Sequence, residues 1–211
     1  MGKVRNGKGG RVLCGVAALA LLLVSASRTR QASAASSIEP GGAEVSSSLA
    51  GIVLTDQRNQ PVHLDALVAA HRLTVVVFYA AGCPCFAAHV PRLVDLERAH
   101  AGDDVAFVVV DSERHAPPEP GAPTIAIGSR LLGARDADGT LARRLDARFA
   151  TETFVFDSAQ RLRYRGGIDG DRKHLTSQPQ THLGDALRAL VAGTAPPVTT
   201  SKALGCALKL L

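Results

Sequence analysis

Residues 80–91 read AAGCPCFAAHVP, which sets Cys83 and Cys85 one residue apart across Pro84. A thiolate is both the nucleophile of disulfide exchange and a soft-metal ligand, so the pair can do either chemistry. Bonded cysteines hold their Cα atoms about 4.4–6.8 Å apart. Two extended residues span at most roughly 7 Å, so a turn at Pro84 suffices to let Cys83 and Cys85 bond each other. The ring would be small and strained, and therefore easily reduced. The competing partner is Cys206, in the C-terminal stretch TTSKALGCALKLL, which would reach the pair if the tail folded back. Cys206 could equally be a free or intermolecular thiol. His89, four residues after Cys85, would complete a site for Cu(I) or Zn with the two thiols, or would simply line a groove on a helix surface. The bland alternative for Cys83 and Cys85 is a pair of buried structural thiols.

The elements that must position these residues are legible from periodicity. LTVVVFYA (73–80) and DVAFVVVD (104–111) are β-branched and apolar on both faces, as buried central strands are. Between them, apolar residues at Phe86, Val90, Leu93, Val94 and Leu96 have helical spacing, with Pro91 as a kink. GIVLTDQRNQPVHLDAL predicts a hairpin followed by a short helix over 64–70. ERHAPPEPGAPT (113–124) is too proline-rich for regular structure. A short strand near Thr124–Ile127 follows, then turn chemistry in LLGARDADG and a short helix in TLARRLDA. TETFVFDSAQRLRYRGG alternates on either side of a turn at Asp157–Gln160 and predicts a hairpin, with Arg163 and Arg165 on an exposed face. THLGDALRALVAG (181–193) is an amphipathic helix stopped by Gly193. His174 and His182 fall in loops, and Asp111 reads as a solvated strand-end carboxylate. The expected result is an α/β sheet of mixed direction with helices on both faces.

Cys83 falls where a strand ends and a helix begins. Free N–H groups and the helix dipole favour a thiolate there, below the ordinary cysteine value of about 8.5. A buried strand, a Cys-Pro turn, a helix with Pro91 eight residues after Cys83, and a final hairpin resemble the thioredoxin-like superfamily. The likeness is to redoxin domains of exported thiol–disulfide oxidoreductases and their peroxiredoxin-like relatives. It implies a three-layer fold over residues 49–193 and places Cys83 as the attacking cysteine. The family's second cysteine corresponds to Phe86, so Cys85 and Cys206 remain rival resolving thiols. Other family positions also differ. Gly82 stands for the usual Trp before the attacking cysteine, Val77 for the buried Asp, and Thr151 for the cis-proline. A cis bond before Thr costs about 3 kcal/mol, which predicts a trans peptide or a rearranged loop. The peroxiredoxin motif P-x-x-x-T-x-x-C has Val76 and Ala80 at its Pro and Thr positions, which disfavours peroxidase activity. The glycines of YRGGID (164–169), a segment that resembles the one after the family's last hairpin, are assigned to a turn.

The N-terminus sets the compartment. Lys3, Arg5, Lys8 and Arg11 precede an apolar run from Val12 to Val24 that contains Cys14, and small-residue cleavage patterns follow. Residues 1–34 read as a secretory signal, and 35–48 as a flexible linker. The run is short of the roughly 20 residues that span a bilayer, and an uncleaved segment would instead anchor the protein. Six of the 24 basic residues and none of the 19 acidic ones lie in 1–34, so the remainder carries 18 − 19, or −1. Nucleic-acid binding therefore has no electrostatic support. Removing Cys14 leaves three cysteines in an exported chain, where disulfides persist. Residues 194–211 read as a tail holding Cys206. The expectation is an extracytoplasmic enzyme that exchanges disulfides with a protein or small-molecule disulfide, needing no cofactor, its redox partner unspecified. Cys83, Cys85 and Cys206 are its catalytic candidates. Its rivals are a Cu(I)-binding or delivery module and a redox-inert thioredoxin-like binding module.

Overall fold

The computed structural model describes residues 49–114, 130–171 and 181–210. The expected signal and linker, with Cys14, lie outside these residues, as do the strand near 124–127, His174 and most of the proline-rich loop. Among the described residues no helix is long and apolar enough to cross a membrane.

The elements run β1 (Val53–Asp56), β2 (Pro61–His63), α1 (Leu64–Ala70), β3 (Leu73–Tyr79), α2 (Pro84–Ala99), β4 (Val105–Asp111), β5 (Leu132–Arg135), α3 (Thr140–Arg144), β6 (Thr153–Asp157), β7 (Leu162–Gly166) and α4 (His182–Val191). The seven strands form one mixed sheet in the order β2-β1-β5-β4-β3-β6-β7. β3 pairs parallel with β4 and antiparallel with β6, which makes it a central strand. Its almost wholly apolar sequence, with only Thr74 polar at its start, follows from burial on both sides. Val75 and Val77 face one core with Phe107, Val109 and Phe86, together with Leu183 and Leu187 of α4. Val76 and Phe78 face the other with Val108, Val110, Leu64 and Leu141. Helices thus cover both faces, as expected.

The strand after the proline-rich loop is β5 at 132–135, inside the stretch read from sequence as turn chemistry. Pairing overrides local propensity here: Leu132–Arg135 bonds parallel to Val108–Asp111 and antiparallel to β1. The turn itself begins at Asp136, whose carboxylate accepts the N–H groups of Leu141 and Ala142 and so caps α3. Asp111 is not a solvated cap. It is 2% exposed, receives Arg135 Nη1 at 3.1 Å and accepts the Glu113 N–H. Arg165 is likewise only partly exposed; it pairs with Glu152 at 2.9 Å and lies over the Phe154 ring. His182 opens α4 rather than sitting in a loop.

The tail folds back over the hairpin end of the sheet. The Arg165 N–H donates to the Thr199 carbonyl and the Ser201 N–H to the Arg165 carbonyl. Two glycines assigned from sequence to a turn serve this crossing instead. A Cβ on Gly166 would sit 2.8 Å from Ser201 N, and one on Gly167 would sit 2.7 Å from the Lys202 carbonyl oxygen. Tyr164 locks the crossing from below: its hydroxyl donates to the Gly167 carbonyl and meets Ser201 Oγ at 2.7 Å. Burial pushes the Tyr164 phenol up to about 12, so it stays protonated across the physiological range. Further along, the Ala150 N–H donates to the Cys206 carbonyl and the Leu208 N–H to the Arg148 carbonyl. Gly205 allows this approach, because a Cβ there would overlap the Ala150 carbonyl. Gly205→Val is therefore expected to lift the tail at an overpacking cost of about 1–3 kcal/mol. Denaturant unfolding measures that loss, and thiol counting on the oxidised protein should find Cys83 and Cys206 unbonded in a larger fraction of molecules than in the wild type.

Candidate functional site

Cys83 is the N-cap of α2, with φ −72° and ψ 110°. Its N–H donates to the Ala80 carbonyl, and its own carbonyl accepts the first helical bond, from Ala87 N–H at 3.1 Å. Pro84 occupies the first helical turn, where a missing N–H costs nothing. α2 then runs through Pro91 without ending. Gly82 enters the helix at φ +69°, a left-handed backbone that a Trp would adopt only under strain. Phe86, in the position of the second family cysteine, is 3% exposed and packs edge-on against Tyr79 at 5.0 Å.

The structure joins Cys83 to Cys206, with Cα atoms 6.0 Å apart, and leaves Cys85 as a free buried thiol. Between the two partners weighed from sequence, Cys206 is therefore the bonded one. Cys85 nevertheless stays in the site, since the sulfurs of Cys83, Cys85 and Cys206 all lie within 4.8 Å of one another. Three such thiolates, once reduced, are a donor set suited to Cu(I) or Zn.

His89 does not join this cluster, and it is neither a surface nor a groove residue. It is 2% exposed. Its Nδ1–H donates to the Cys85 carbonyl at 2.5 Å, and its Nε2 faces Asp169 Oδ1 at 3.1 Å. Both partners are acceptors, so the protonated ring, with a proton on each nitrogen, satisfies both. Burial lowers the His89 pKa, but the bonds to Asp169 and the Cys85 carbonyl outweigh it and leave the value raised. Asp169 is held below the usual carboxylate range: burial opposes this, while bonds from His89, the Asp171 N–H and Arg92 win. Arg92 in turn reaches both Asp169 and Asp171. This network is invisible in the sequence as a network. Its signal was the adjacency of Asp169 to the YRGG stretch and the one-turn spacing of Cys85 and His89.

Thr151, matched from sequence to the cis-proline of the resembled family, lies just before β6. Its φ is +71°, rare for a β-branched residue. Its N–H donates to the Phe78 carbonyl, while its buried hydroxyl has no partner among the described residues.

The ion pair gives a stability prediction with a defined sign. Asp169 is depressed below 3.8, so its contribution is present above that value and lost as pH falls through its folded value. His89 is raised above 6.5, so its contribution is complete below 6.5 and lost as pH rises through its folded value. Urea unfolding should show a full contribution between 3.8 and 6.5, declining on either side. Asp169→Asn should cost about 3–5 kcal/mol, because His89 loses its counter-charge and Arg92 keeps only Asp171, and should flatten this profile.

No protein-family model matches the chain, and no curated protein does. Solved structures do. A hypothetical protein from Sinorhizobium meliloti 1021 aligns with TM-score 0.63 at 22% identity, covering 76% of this chain and 91% of that one. An uncharacterized conserved protein from Geobacillus kaustophilus aligns with TM-score 0.65 at 24% identity, covering 76% and 88%. An exposed lipoprotein thioredoxin from Streptococcus pneumoniae aligns more loosely, with TM-score 0.47 at 17% identity over 67% and 98%. At these identities the likeness concerns the fold alone. The parallel β3–α2–β4 unit, the antiparallel β6–β7 hairpin beside β3 and the closing helix α4 give the chain a thioredoxin-like α/β fold.

Proposed function

We propose that the protein is an extracytoplasmic thiol–disulfide oxidoreductase in which Cys83 attacks and Cys206 resolves. The observation that carries this reading is the 6.0 Å Cα separation of two cysteines 123 residues apart, one of them at a helix N-cap. Neither chain position alone would bring them together; a tail threaded through glycines does. The N-terminal pattern of residues 1–34 supports export.

In the reduced protein the Cys83 thiolate attacks one sulfur of a client disulfide. A Cys83–client bond forms, and the other client sulfur leaves as a thiolate. The Cys206 thiolate then attacks Cys83 Sγ, forming the Cys83–Cys206 bond and releasing the second client thiolate. The client gains two electrons and the protein loses two, so a dithiol reductant restores the starting state. The helix N-terminus favours Cys83 both as attacking thiolate and as leaving group.

Cys83→Ser should reduce turnover of a glutathione disulfide or insulin substrate to the uncatalysed background, and activity at the wild-type level would overturn the mechanism. Cys206→Ser should still attack but fail to resolve efficiently, so Cys83–client mixed disulfides should accumulate and be visible by intact mass.

A second reading, a Cu(I)-binding module, is favoured by the three clustered sulfurs. His89 would not contribute, because both of its nitrogens are engaged. Anaerobic titration of the reduced protein with Cu(I) checks this reading: it expects stoichiometric binding lost in Cys85→Ser, and no binding at all would remove it.

A further inference from the structure

We propose that Cys85 is an internal attacking thiol that moves the disulfide from Cys83–Cys206 to Cys85–Cys206, so that the oxidised protein presents Cys83 as a reactive thiolate. The inference rests on the reading of Cys83 as the attacking cysteine and adds to it a disulfide-rearranging activity. Three observations carry it. The Cys85 sulfur lies within 4.8 Å of both sulfurs of the bond. Cys85 is a free thiol beside a disulfide. Lastly, the tail has bonds of its own beside the disulfide. Backbone bonds at Ala150–Cys206 and Arg148–Leu208 hold it on either side of the sulfur, and the Lys209 N–H donates to Glu113 at 3.0 Å. Cys206 therefore stays in reach whichever partner it bonds.

The two disulfide sulfurs are not equivalent targets. Attack on Cys83 Sγ would form the two-residue-spaced Cys83–Cys85 ring and expel Cys206, which has no helix N-terminus to stabilise it. Attack on Cys206 Sγ expels Cys83 onto the α2 N-cap, where a thiolate is favoured and leaves faster. In that step Cys85 gives its proton to solvent and its sulfur bonds Cys206, while the Cys83–Cys206 bond breaks and Cys83 departs as thiolate. One disulfide and one thiol are present before and after, so no oxidant or reductant is needed. The freed Cys83 can attack a mispaired client disulfide and release a client thiolate, which re-pairs elsewhere and returns Cys83. The substrate class is accordingly proteins with non-native disulfides, and the oxidised enzyme can rearrange them without external thiols.

The experiment is alkylation mapping of the full-length oxidised protein under native conditions, with excess iodoacetamide and no reductant. The expected product carries the label on Cys83 and a Cys85–Cys206 disulfide, whereas oxidised Cys85→Ser takes no label on Cys83. Label on Cys85 alone, or no label with the Cys83–Cys206 bond intact, would overturn the proposal. Cys83→Ser gives an independent check: on oxidation it should form an intramolecular Cys85–Cys206 bond, and a folded variant that does not would also overturn it. The parent reading fails separately, if reduced wild-type protein does not react with glutathione disulfide.

Discussion

The cysteine site depends on one close backbone crossing. The tail lies against Ala150 and Thr151 so tightly that only glycine fits at 205, and the neighbouring residue is Cys206. Remove that approach and Cys206 becomes a tail thiol 123 residues from its partner. Closing so long a loop with a disulfide would remove about 5 kcal/mol of chain entropy from the unfolded state on its own. The fold spreads part of that ordering over backbone bonds and the Tyr164–Ser201–Gly167 chain, none of which involves a sulfur atom. These bonds hold the tail against the sheet on either side of Cys206.

Behind the site, α2 is anchored by charge rather than by apolar packing alone. His89 and Arg92 on one helix meet Asp169 and Asp171 after β7. A buried pair of this kind contributes little net stability compared with apolar residues of the same volume, but losing one member is costly. Its effect is geometric. It ties the first turns of the helix that carries Cys83 and Cys85 to the segment immediately after Gly166 and Gly167, where the tail crosses. Cys83 and Cys206 are therefore referenced to the same short stretch of chain.

The fold was largely legible because its central strands are buried on both faces. Their β-branched runs in 73–79 and 105–111 leave no competing pattern, and α1 at 64–70 follows from the short apolar run after the hairpin. β5 was not legible, because Leu132–Arg135 has weak local strand preference and is recruited by β1 and β4. At the site, Cys83 at a helix start could be read locally, since the strand, the turn and the proline adjoin it in sequence. The choice of Cys206 over Cys85 could not, since it is made by contacts between residues more than thirty apart. Gly166, Gly167 and Gly205 carry the signal, but a glycine needed for close approach looks like a glycine needed for a turn until the partner chain is known. The burial of His89 was missed for a similar reason. Its counter-charge, Asp169, lies 80 residues away.

The number of sulfurs matters as much as their placement. With two thiols a site is either reduced or oxidised; with three it always retains a thiol after one disulfide forms. Metal binding and disulfide formation then compete for the same atoms, because a Cys83–Cys206 bond consumes two of the three donors. A soft metal held by all three thiolates would block both attack and resolution, and oxidation would expel the metal. The two chemistries proposed for the cluster are thus linked states of a single arrangement, and the redox poise of the compartment decides which of them is populated.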